Sequence, residues 1–242
     1  FGVFLNFAPD HLDRHKSMQN YLSSKSNIAK LLLESDCLIF NSTDPDTLVE
    51  GKFKTQSIPL EQSKSKKNYI EANFIARFFV EWLGSDFKEY PEEKIDQLPF
   101  RNQPLNLHGG LLAVNDSKST NPHSVKFSLS KLDSSKKTLL ILGGLKKNIS
   151  FRDLDLPKSV HTVYLFGQDR KKIAEEITHK DIVIKECLDE IIDVIKNYFS
   201  SRNDLNQFII LFSPGCSSFD QYKNFEERGT AFNQLINQAL RV

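Results

Sequence analysis

Short apolar runs alternate with amphipathic segments along most of this chain, and the alternation predicts an α/β fold. Nearly continuous apolar runs of strand length are typical of strands that are covered on both faces. They lie at residues 1–7, 37–41, 111–114, 138–142, 160–166, 182–185 and 208–212. Apolar residues that recur three and four positions apart indicate helices with one buried face. They lie at residues 17–34, 68–83, 169–177, 188–199 and 218–240.

The order of these elements is most regular in the second half of the chain, from residue 137 onward. Strands and helices follow one another in turn there, and such crossover units build a mostly parallel, Rossmann-like sheet. Ligands of these sheets bind beyond the carboxyl ends of the strands. Polar residues follow predicted strands at 6–15, 115–123 and 213–221, and Gly143-Gly144 follows another strand. We therefore expect a polar cleft at the carboxyl edge of the sheet.

The segment Ser213-Pro-Gly-Cys-Ser-Ser-Phe-Asp-Gln-Tyr-Lys-Asn-Phe-Glu-Glu-Arg-Gly229 predicts a strand end, a tight Pro-Gly turn and a helix. Ser218 and Gln221 have the spacing of a capping box, which predicts that the helix begins at Ser218. A serine-rich turn at a helix N-terminus offers N–H groups and hydroxyls to an anion. By spacing alone, the segment also suits an ordinary connection between a strand and a helix.

A histidine and a lysine near the start of the chain are candidate metal ligands. His11 lies among aspartates just after a predicted strand, which suits a metal or phosphate site, or simply a polar loop. Lys25 falls on the apolar stripe of the helix predicted for residues 17–34. Its ammonium can reach the rim of that face, or partial burial can lower its pKa and make it nucleophilic. In the second case, addition of carbon dioxide gives a carbamate, which is a carboxylate-like metal ligand.

The composition argues against some partners. The 32 basic and 31 acidic side chains of the 242 residues nearly cancel, so no overall charge favours nucleic acid or a membrane surface. No apolar run is long enough to cross a membrane. Cys37, Cys187 and Cys216 lie far apart without metal-binding spacing, which suits a reducing compartment such as the cytoplasm. The length allows two ordinary domains, and the absence of an initiating Met predicts that the chain begins in mid-domain.

Four strings resemble the Mur ligase family, and in particular its D-glutamate-adding branch. They are Asn6–His15, Leu98-Pro-Phe-Arg101, Asn115-Asp-Ser-Lys-Ser-Thr-Asn-Pro122 and residues 213–229. The resemblance implies that residues 1–97 are the C-terminal part of the central ATP-binding α/β domain. Residues 98–242 then form the family's Rossmann-like C-terminal α/β domain. The chain departs from the family at Lys67, Glu71 and Phe100, where the family has histidine, asparagine and histidine.

The resemblance also implies an activity and its residues. The activity is ATP-dependent amide formation between D-glutamate and UDP-N-acetylmuramoyl-L-alanine, through an acyl phosphate, in cytoplasmic peptidoglycan precursor synthesis. The catalytic and metal-binding residues, for Mg²⁺, are His11 and Lys25 as its carbamate. The ATP-binding residues are Asn68, Arg101 and Asp116. The D-glutamate-binding residues are Lys118, Thr120, Lys147, Ser218 and Phe225. The full-length protein is expected to be a monomer with small-molecule substrates only.

One motif of the family is missing from this sequence. None of the ten glycines begins the Gly-x-x-Gly-Lys-Ser/Thr loop with which the family binds ATP phosphates, and the family's N-terminal domain has no counterpart. We therefore expect the chain to be part of a longer enzyme and to be inactive alone. Two alternatives stay open. One is a ligase of the folylpolyglutamate synthetase type, which shares the fold, and the other is a non-catalytic remnant that binds an amino acid or a nucleotide.

Overall fold

The computed structural model of the chain describes residues 2–4, 7, 9, 12–33, 37–41, 56–60, 75–81, 83–86, 88 and 98–240. The chain divides into two compact units, Phe1–Asp96 and Gln97–Val242, which we call unit 1 and unit 2. Unit 2 is described without interruption from Leu98 to Leu240, and it holds most of the candidate site residues.

The described residues of unit 1 include three parallel strands in the order β1-β2-β3. The strands are β1 (Gly2–Phe4), β2 (Cys37–Asn41) and β3 (Gln56–Leu60). The helices are α1 (Leu12–His15), α2 (Met18–Lys25), α3 (Asn27–Lys30) and α4 (residues 75–81). The buried rings of Phe7 and Tyr21 lie 5.3 Å apart, centroid to centroid. The sequence predicted β2 with these bounds but did not predict β3, whose run of apolar residues is broken by Ser57 and Pro59.

The prediction of one continuous helix over residues 17–34 is wrong. The helix begins as expected, because the Ser17 hydroxyl oxygen accepts a hydrogen bond from the Asn20 N–H at 3.1 Å. It ends at Lys25, however, and a separate short helix follows from Asn27 to Lys30. Three serines and an asparagine stand within residues 23–27. Such side chains compete for backbone hydrogen bonds and weaken a helix interior.

Unit 2 is built on a six-stranded sheet with the strand order β4-β5-β9-β6-β7-β8. The strands are β4 (Gln103–Asn106), β5 (Leu112–Asn115), β6 (Lys137–Gly143), β7 (Val160–Phe166), β8 (Ile182–Ile184) and β9 (Phe208–Gly215). Only the edge strand β4 is antiparallel to its neighbour; every other pair is parallel. The predicted α/β class with a mostly parallel sheet is therefore confirmed.

Helices cover both faces of this sheet. They are α5 (Pro122–Lys131), α6 (Arg170–Glu176), α7 (Leu188–Phe199) and α8 (Phe225–Leu240). Helices α7 and α8 share one apolar cluster, in which the rings of Phe212 and Phe232 stack at 4.4 Å. Helices α5 and α6 share the cluster on the opposite face, through Val125 and Ile173. The strand β9 is consequently buried along its whole length.

The predicted end of β9 is wrong. The apolar run stops at Phe212, and the sequence predicted a tight turn at Pro214-Gly215. In the structure the strand continues to Gly215, which pairs with Gly143 of β6. The pairing of β9 with β6 overrides the turn preference of Pro214-Gly215, because Gly143 and Gly215 are glycines that can adopt positive φ. The strand therefore carries its polar residues farther along the sheet edge than predicted.

The predicted start of α8 is also wrong. The helix begins at Phe225 and not at Ser218. The Asn224 side-chain oxygen accepts a hydrogen bond from the Glu227 N–H at 2.7 Å, and the Glu227 carboxylate accepts one from the Lys223 N–H at 2.8 Å. Asn224 and Glu227 are thus the capping pair. The Ser218 carbonyl accepts from the Gln221 N–H at 3.2 Å, so Ser218 belongs to the turn that precedes the helix.

One strand and one α-helix of unit 2 were not predicted. Strand β4 lies at the sheet edge, contains Pro104 and alternates partly buried with exposed residues, so it lacks a continuous apolar run. Helix α5 is rich in serine, but Asn121 caps it by accepting a hydrogen bond from the Ser124 N–H at 2.8 Å. Pro122 occupies its first turn, where a missing N–H costs nothing.

Candidate functional site

The carboxyl ends of β5, β9 and β6 lie next to one another at one edge of the unit 2 sheet. Three segments follow these ends. We call them the β5 loop (residues 116–121), the β6 loop (residues 144–151) and the β9 loop (residues 216–224). Since the strands are parallel neighbours, the three loops start side by side, as in other α/β proteins that bind ligands at this edge.

Backbone hydrogen bonds join the three loops directly. The Gly215 N–H donates to the Ser119 carbonyl at 2.9 Å, which links the end of β9 to the β5 loop. Leu145 and Ser217 exchange two hydrogen bonds, at 2.9 and 3.0 Å, which link the β6 loop to the β9 loop. The β9 loop therefore lies between the other two.

Four of the residues that the sequence assigned to D-glutamate lie in these loops, and the fifth follows the β9 loop directly. Ser218 comes immediately after Ser217 in the bond pair with Leu145, and it is buried. The others are partly buried: Lys118, Thr120, Lys147 and Phe225. The structure thus brings the segments that carry these five residues together at one edge of the sheet.

The start of α8 is fixed against the β5 loop by two contacts. The Lys118 ammonium lies 4.5 Å from the centroid of the Phe225 ring, a cation–π contact. The Ser117 hydroxyl donates a hydrogen bond to the Phe225 carbonyl at 2.8 Å. Lys118 and Phe225, which were predicted to share a ligand, are therefore in direct contact.

Gly144 permits the close approach of the β6 and β9 loops. Its φ is +124°, and a Cβ at this position would lie 2.3 Å from the Ser217 carbonyl oxygen. No other residue fits that backbone without displacing the paired loops. The structure shows that Gly144 turns closely past a neighbouring loop.

The β6 loop is further fixed by two acidic residues of the α6 region. The Lys146 ammonium forms an ion pair with Glu176, whose carboxylate also accepts a hydrogen bond from the Phe151 N–H at 2.7 Å. Asp169 accepts one from the Lys146 N–H at 2.8 Å. Burial acts to raise the pKa of Glu176, but the bonds from Lys146 and Phe151 outweigh it and lower that pKa. The neighbouring Lys147 thus extends from an anchored segment.

Asp116 holds several strand ends together. Its carboxylate is 5% exposed. It accepts hydrogen bonds from the Ser128 hydroxyl at 2.5 Å, the Ser213 hydroxyl at 3.0 Å and the Asn102 N–H at 3.2 Å. Burial raises its pKa, although these bonds and the charge of Arg101 act in the opposite direction. The structure places this predicted ATP residue at the junction of β5, β9 and the segment before β4.

Three buried polar atoms near this edge have no hydrogen-bond partner among the described residues. They are Ser119 Oγ, Ser217 Oγ and Asn102 Oδ1. Buried polar atoms are nearly always paired in folded proteins, so unpaired ones call for an explanation, such as a bound polar ligand. None of the three is predicted as a site residue from sequence, because nothing in the local pattern distinguishes these residues from ordinary loop residues.

Arg228 is a further residue of this region that was not predicted from sequence, and its side chain is fully buried under the loops. Its guanidinium donates to the Ser117 carbonyl at 2.8 Å, the Ser117 hydroxyl at 3.1 Å and the Cys216 carbonyl at 3.0 Å. Burial lowers its pKa to about 10. A signal was available: Arg228 lies three residues after Phe225 and four before Phe232, on the buried stripe of α8.

Of the two remaining predicted ATP residues, Arg101 lies in the described part of the chain. Arg101 is exposed, and Asn68 lies outside the described residues, as do Lys67 and Glu71. Phe100, which stands where the family has histidine, has a φ of +62°. Its carbonyl accepts a hydrogen bond from the Lys118 N–H at 3.0 Å. The segment that carries Arg101 is therefore tied to the β5 loop.

The predicted metal ligands are described only in part. His11 lies outside the described residues. Lys25 is partly buried, and its ammonium lies 5.1 Å from the centroid of the Tyr21 ring. Among the described residues, no group of three or more His, Cys, Asp or Glu side chains could hold a metal ion. In the same part of the chain, no helix is both long and apolar enough to span a membrane.

Comparison with known proteins identifies the class. Residues 1–96 match the Mur ligase middle domain. A curated relative from Hydrogenobaculum sp. (strain Y04AAS1) is 31% identical over 266 residues, which cover 98% of this chain and 62% of the relative. Residues 1–96 of the chain therefore belong to the Mur ligase family.

Within that family, the curated relatives are named for one amino acid. The Hydrogenobaculum protein is a UDP-N-acetylmuramoylalanine–D-glutamate ligase. So are relatives from Aquifex aeolicus (strain VF5), 33% identical over 97% of this chain and 61% of the relative, and from Leptospira borgpetersenii (strain JB197), 33% identical over 99% and 62%. The chain thus spans about three fifths of the length of the curated relatives it matches.

Solved structures support the fold. The MurF ligase from Thermotoga maritima in complex with ADP has a TM-score of 0.68 at 15% identity, covering 98% of this chain and 61% of that one. The folylpolyglutamate synthase from Mycobacterium tuberculosis, complexed with ADP and AMPPCP, has a TM-score of 0.64 at 11% identity, covering 96% and 63%. At such low identity, these similarities concern the fold alone.

Proposed function

We propose that this chain belongs to an ATP-dependent ligase that joins D-glutamate to UDP-N-acetylmuramoyl-L-alanine in cytoplasmic peptidoglycan precursor synthesis. The observation that carries the proposal is the direct joining of the β5, β6 and β9 loops. These loops and the residue that follows them bear Lys118, Thr120, Lys147, Ser218 and Phe225. The names of the curated relatives support the same substrate.

The chemistry of the loops suits an amino acid with two carboxylates. Lys118 and Lys147 supply ammonium groups, and Ser218 and Thr120 supply hydroxyls. The Ser119 and Ser217 hydroxyls are buried and have no hydrogen-bond partner in the described part of the chain, so their hydrogen-bonding capacity remains for a polar ligand. Since an unpaired carboxylate in a buried site is strongly unfavourable, several charged and neutral donors are needed together.

ATP is assigned to Asn68, Arg101 and Asp116. An ionised carboxylate has about four acceptor positions. Asp116 uses three of them for Asn102, Ser128 and Ser213, so one acceptor position remains for a hydroxyl group such as those of ribose. Arg101 is exposed and can pair with a phosphate without losing an internal partner that holds the fold.

Mg²⁺ is assigned to His11 and to Lys25 in its carbamate form. The described residues by themselves form no metal cluster, so this assignment depends on those two side chains. Carbamylation would replace the Lys25 ammonium by an anionic group with two oxygens, and oxygen is the ligand that Mg²⁺ prefers. When bound, the metal would neutralise charge on phosphate oxygens.

The reaction proceeds in two steps. The carboxylate of the alanyl substrate attacks the terminal phosphorus of ATP, which gives an acyl phosphate and ADP. The amine of D-glutamate then attacks the acyl carbon, loses a proton and displaces phosphate. The contribution of the three loops is to hold both carboxylates of D-glutamate, so that only its amine faces the acyl phosphate. We assign this role to residues 98–242 as one domain and the metal ligands to residues 1–97, in a protein that acts as a monomer.

The test measures ADP release by the full-length protein. We expect release only when UDP-N-acetylmuramoyl-L-alanine and D-glutamate are both present. Equal stimulation by L-lysine or diaminopimelate would refute the substrate. Activity with a folate acceptor and L-glutamate would favour the folylpolyglutamate type, and binding without turnover would favour a non-catalytic remnant.

A pair of lysine variants tests whether Lys147 contributes to D-glutamate binding. Lys147→Met should raise the KM for D-glutamate by about tenfold or more, because a charge-assisted hydrogen bond is lost. Lys158→Met, at an exposed lysine outside the three loops, should leave KM unchanged. Equal effects of the two changes would remove Lys147 from the proposed site.

A further inference from the structure

Arg228 is the only charged side chain with no solvent exposure among the described residues. Its hydrogen bonds go to two backbone carbonyls and one hydroxyl, all of them uncharged groups. No carboxylate of the described residues forms a salt bridge with it. Burial lowers the pKa of Arg228 and outweighs the charge of the Asp220 carboxylate, which acts to raise it. A buried guanidinium without a directly bonded acidic partner carries a large desolvation penalty, so its place in this fold calls for an explanation beyond packing.

The bonds of Arg228 converge on the loops that carry the candidate ligand residues. Two of them hold Ser117, the residue before Lys118, and one holds Cys216, the residue before Ser217. Ser117 in turn bonds to the Phe225 carbonyl at the start of α8. A Cβ on Gly144, at the start of the β6 loop, would lie 3.2 Å from a terminal nitrogen of Arg228. One side chain therefore contacts the β5 and β9 loops and closely approaches the third.

We propose that Arg228 is a positioning residue. Its three hydrogen bonds hold the β5 and β9 loops in register, and its positive charge lies beneath the surface where a dianionic amino acid binds. This inference rests on the proposed function for the identity of the ligand, and on geometry alone for the effect on the loops. The bound carboxylates then add negative charge to that of Asp220, which acts on Arg228 without a direct ion pair, and the loops are ordered before the ligand arrives.

The first part of the test needs no ligand. Arg228→Met keeps most of the side-chain length but removes the charge and the donors, whereas Arg228→Lys keeps the charge and loses the forked geometry. We measure hydrogen exchange of the Gly215 and Ser217 amides, which bond across the loops, against a β7 amide such as that of Val163. Both variants should speed exchange at the loop amides by about tenfold or more relative to Val163.

A matched control shows whether this effect is local. Ile195→Val truncates a fully buried residue of α7 and lowers the stability of the same unit without touching the loops. It should change exchange at the loop and strand amides equally. If the Arg228 variants also change both sets equally, or leave the loop amides unchanged, Arg228 does not position the loops.

The second part measures D-glutamate binding by calorimetry in the full-length protein. Arg228→Met should weaken binding by about ten- to hundredfold, and Arg228→Lys should recover part of the loss because the charge is retained. Unchanged affinity in both variants would overturn the link between Arg228 and the ligand. If the wild-type protein does not bind D-glutamate but the loop amides respond as expected, the proposed function fails while the positioning role stands.

Discussion

Gly229 of α8 provides a test in which two known effects oppose each other. The glycine is buried, and a Cβ there would lie 2.4, 2.7 and 2.9 Å from three atoms of the Phe100 ring. In an open helix, Gly→Ala stabilises by about 1 kcal/mol. Here the ring would have to move by about 1 Å, and overpacking of this kind costs about 1–3 kcal/mol.

The ring of Phe100 cannot move freely, because its backbone is bound on both sides. The Phe100 N–H donates to the Gln103 side-chain oxygen at 3.3 Å, and the Phe100 carbonyl accepts from the Lys118 N–H at 3.0 Å. We therefore expect the cost of overpacking to exceed the gain from the higher helix propensity of alanine. Gly229→Ala should lower the free energy of unfolding of unit 2 by about 1–2 kcal/mol.

In the double variant Phe100→Ala/Gly229→Ala, the effect of the glycine substitution on the stability of unit 2 should change sign. Phe100→Ala removes the ring, so Gly229→Ala in that background should stabilise unit 2 by up to about 1 kcal/mol through helix propensity alone. The assay is hydrogen exchange of a fully buried β9 amide such as that of Leu211, which reports the unfolding of unit 2. Stabilisation by Gly229→Ala in the presence of Phe100 would refute the reasoning, and so would equal effects in both backgrounds.

Three further changes test other parts of the structure. Gly144→Ala should destabilise unit 2 by about 3 kcal/mol in urea unfolding, because its Cβ would lie 2.3 Å from the Ser217 carbonyl oxygen at a φ of +124°. A change below 1 kcal/mol would contradict the close approach of the loops. Burial, and then the charge of Lys137, lower the pKa of His161 below 6.5, so the unfolded chain binds the proton more readily than the folded one. Stability should be complete above pH 6.5 and fall as the pH drops below it, and His161→Gln should flatten that part of the stability curve. Lys25→Ala should abolish most D-glutamate-dependent ADP release and Lys25→Glu should retain more of it, since a carbamate resembles a carboxylate; equal activity of the wild type and both variants would leave Lys25 a packing residue.

The sequence predicted best those elements that have continuous apolar runs and one-sided helical stripes. β7 and α7 have the predicted bounds, Val160–Phe166 and Leu188–Phe199. In these elements, local propensity and burial favour the same structure, so the pattern suffices. β4 could not be found in this way, because an edge strand with one exposed face and a proline has no such run.

The clustering of the three loops at one edge of the sheet was predictable from sequence, but the contacts that hold the loops together were not. The rule that ligands bind at the carboxyl ends of parallel strands locates the three loops from sequence. Their mutual hydrogen bonds depend on which strands become neighbours, and the order β5-β9-β6 is not encoded by any local motif. For the same reason, the contact between Lys118 and Phe225 spans more than one hundred residues of sequence and was visible only in the fold.

Arg228 and Ser218 show which charge and capping signals the sequence contains. Arg228 on the apolar stripe of α8 is the same kind of signal as Lys25 on the apolar stripe predicted for residues 17–34. Gln221 follows Ser218 at the spacing of a capping box, which predicts a helix cap at Ser218. Asn224 and Glu227 have equivalent spacing and lie directly before the apolar stripe begins, so the capping pair nearer the stripe was the better prediction.

The most direct test of the account is a map of where D-glutamate binds. Amide chemical shifts of isotope-labelled full-length protein are recorded as D-glutamate is added, with L-lysine as the control. The account predicts saturable shifts concentrated at Lys118, Thr120, Lys147 and Ser218, with much smaller effects in β7 and α7 and none with L-lysine. Shifts that are absent, equal for both amino acids or confined to another face of the sheet would contradict a shared binding site at the three loops.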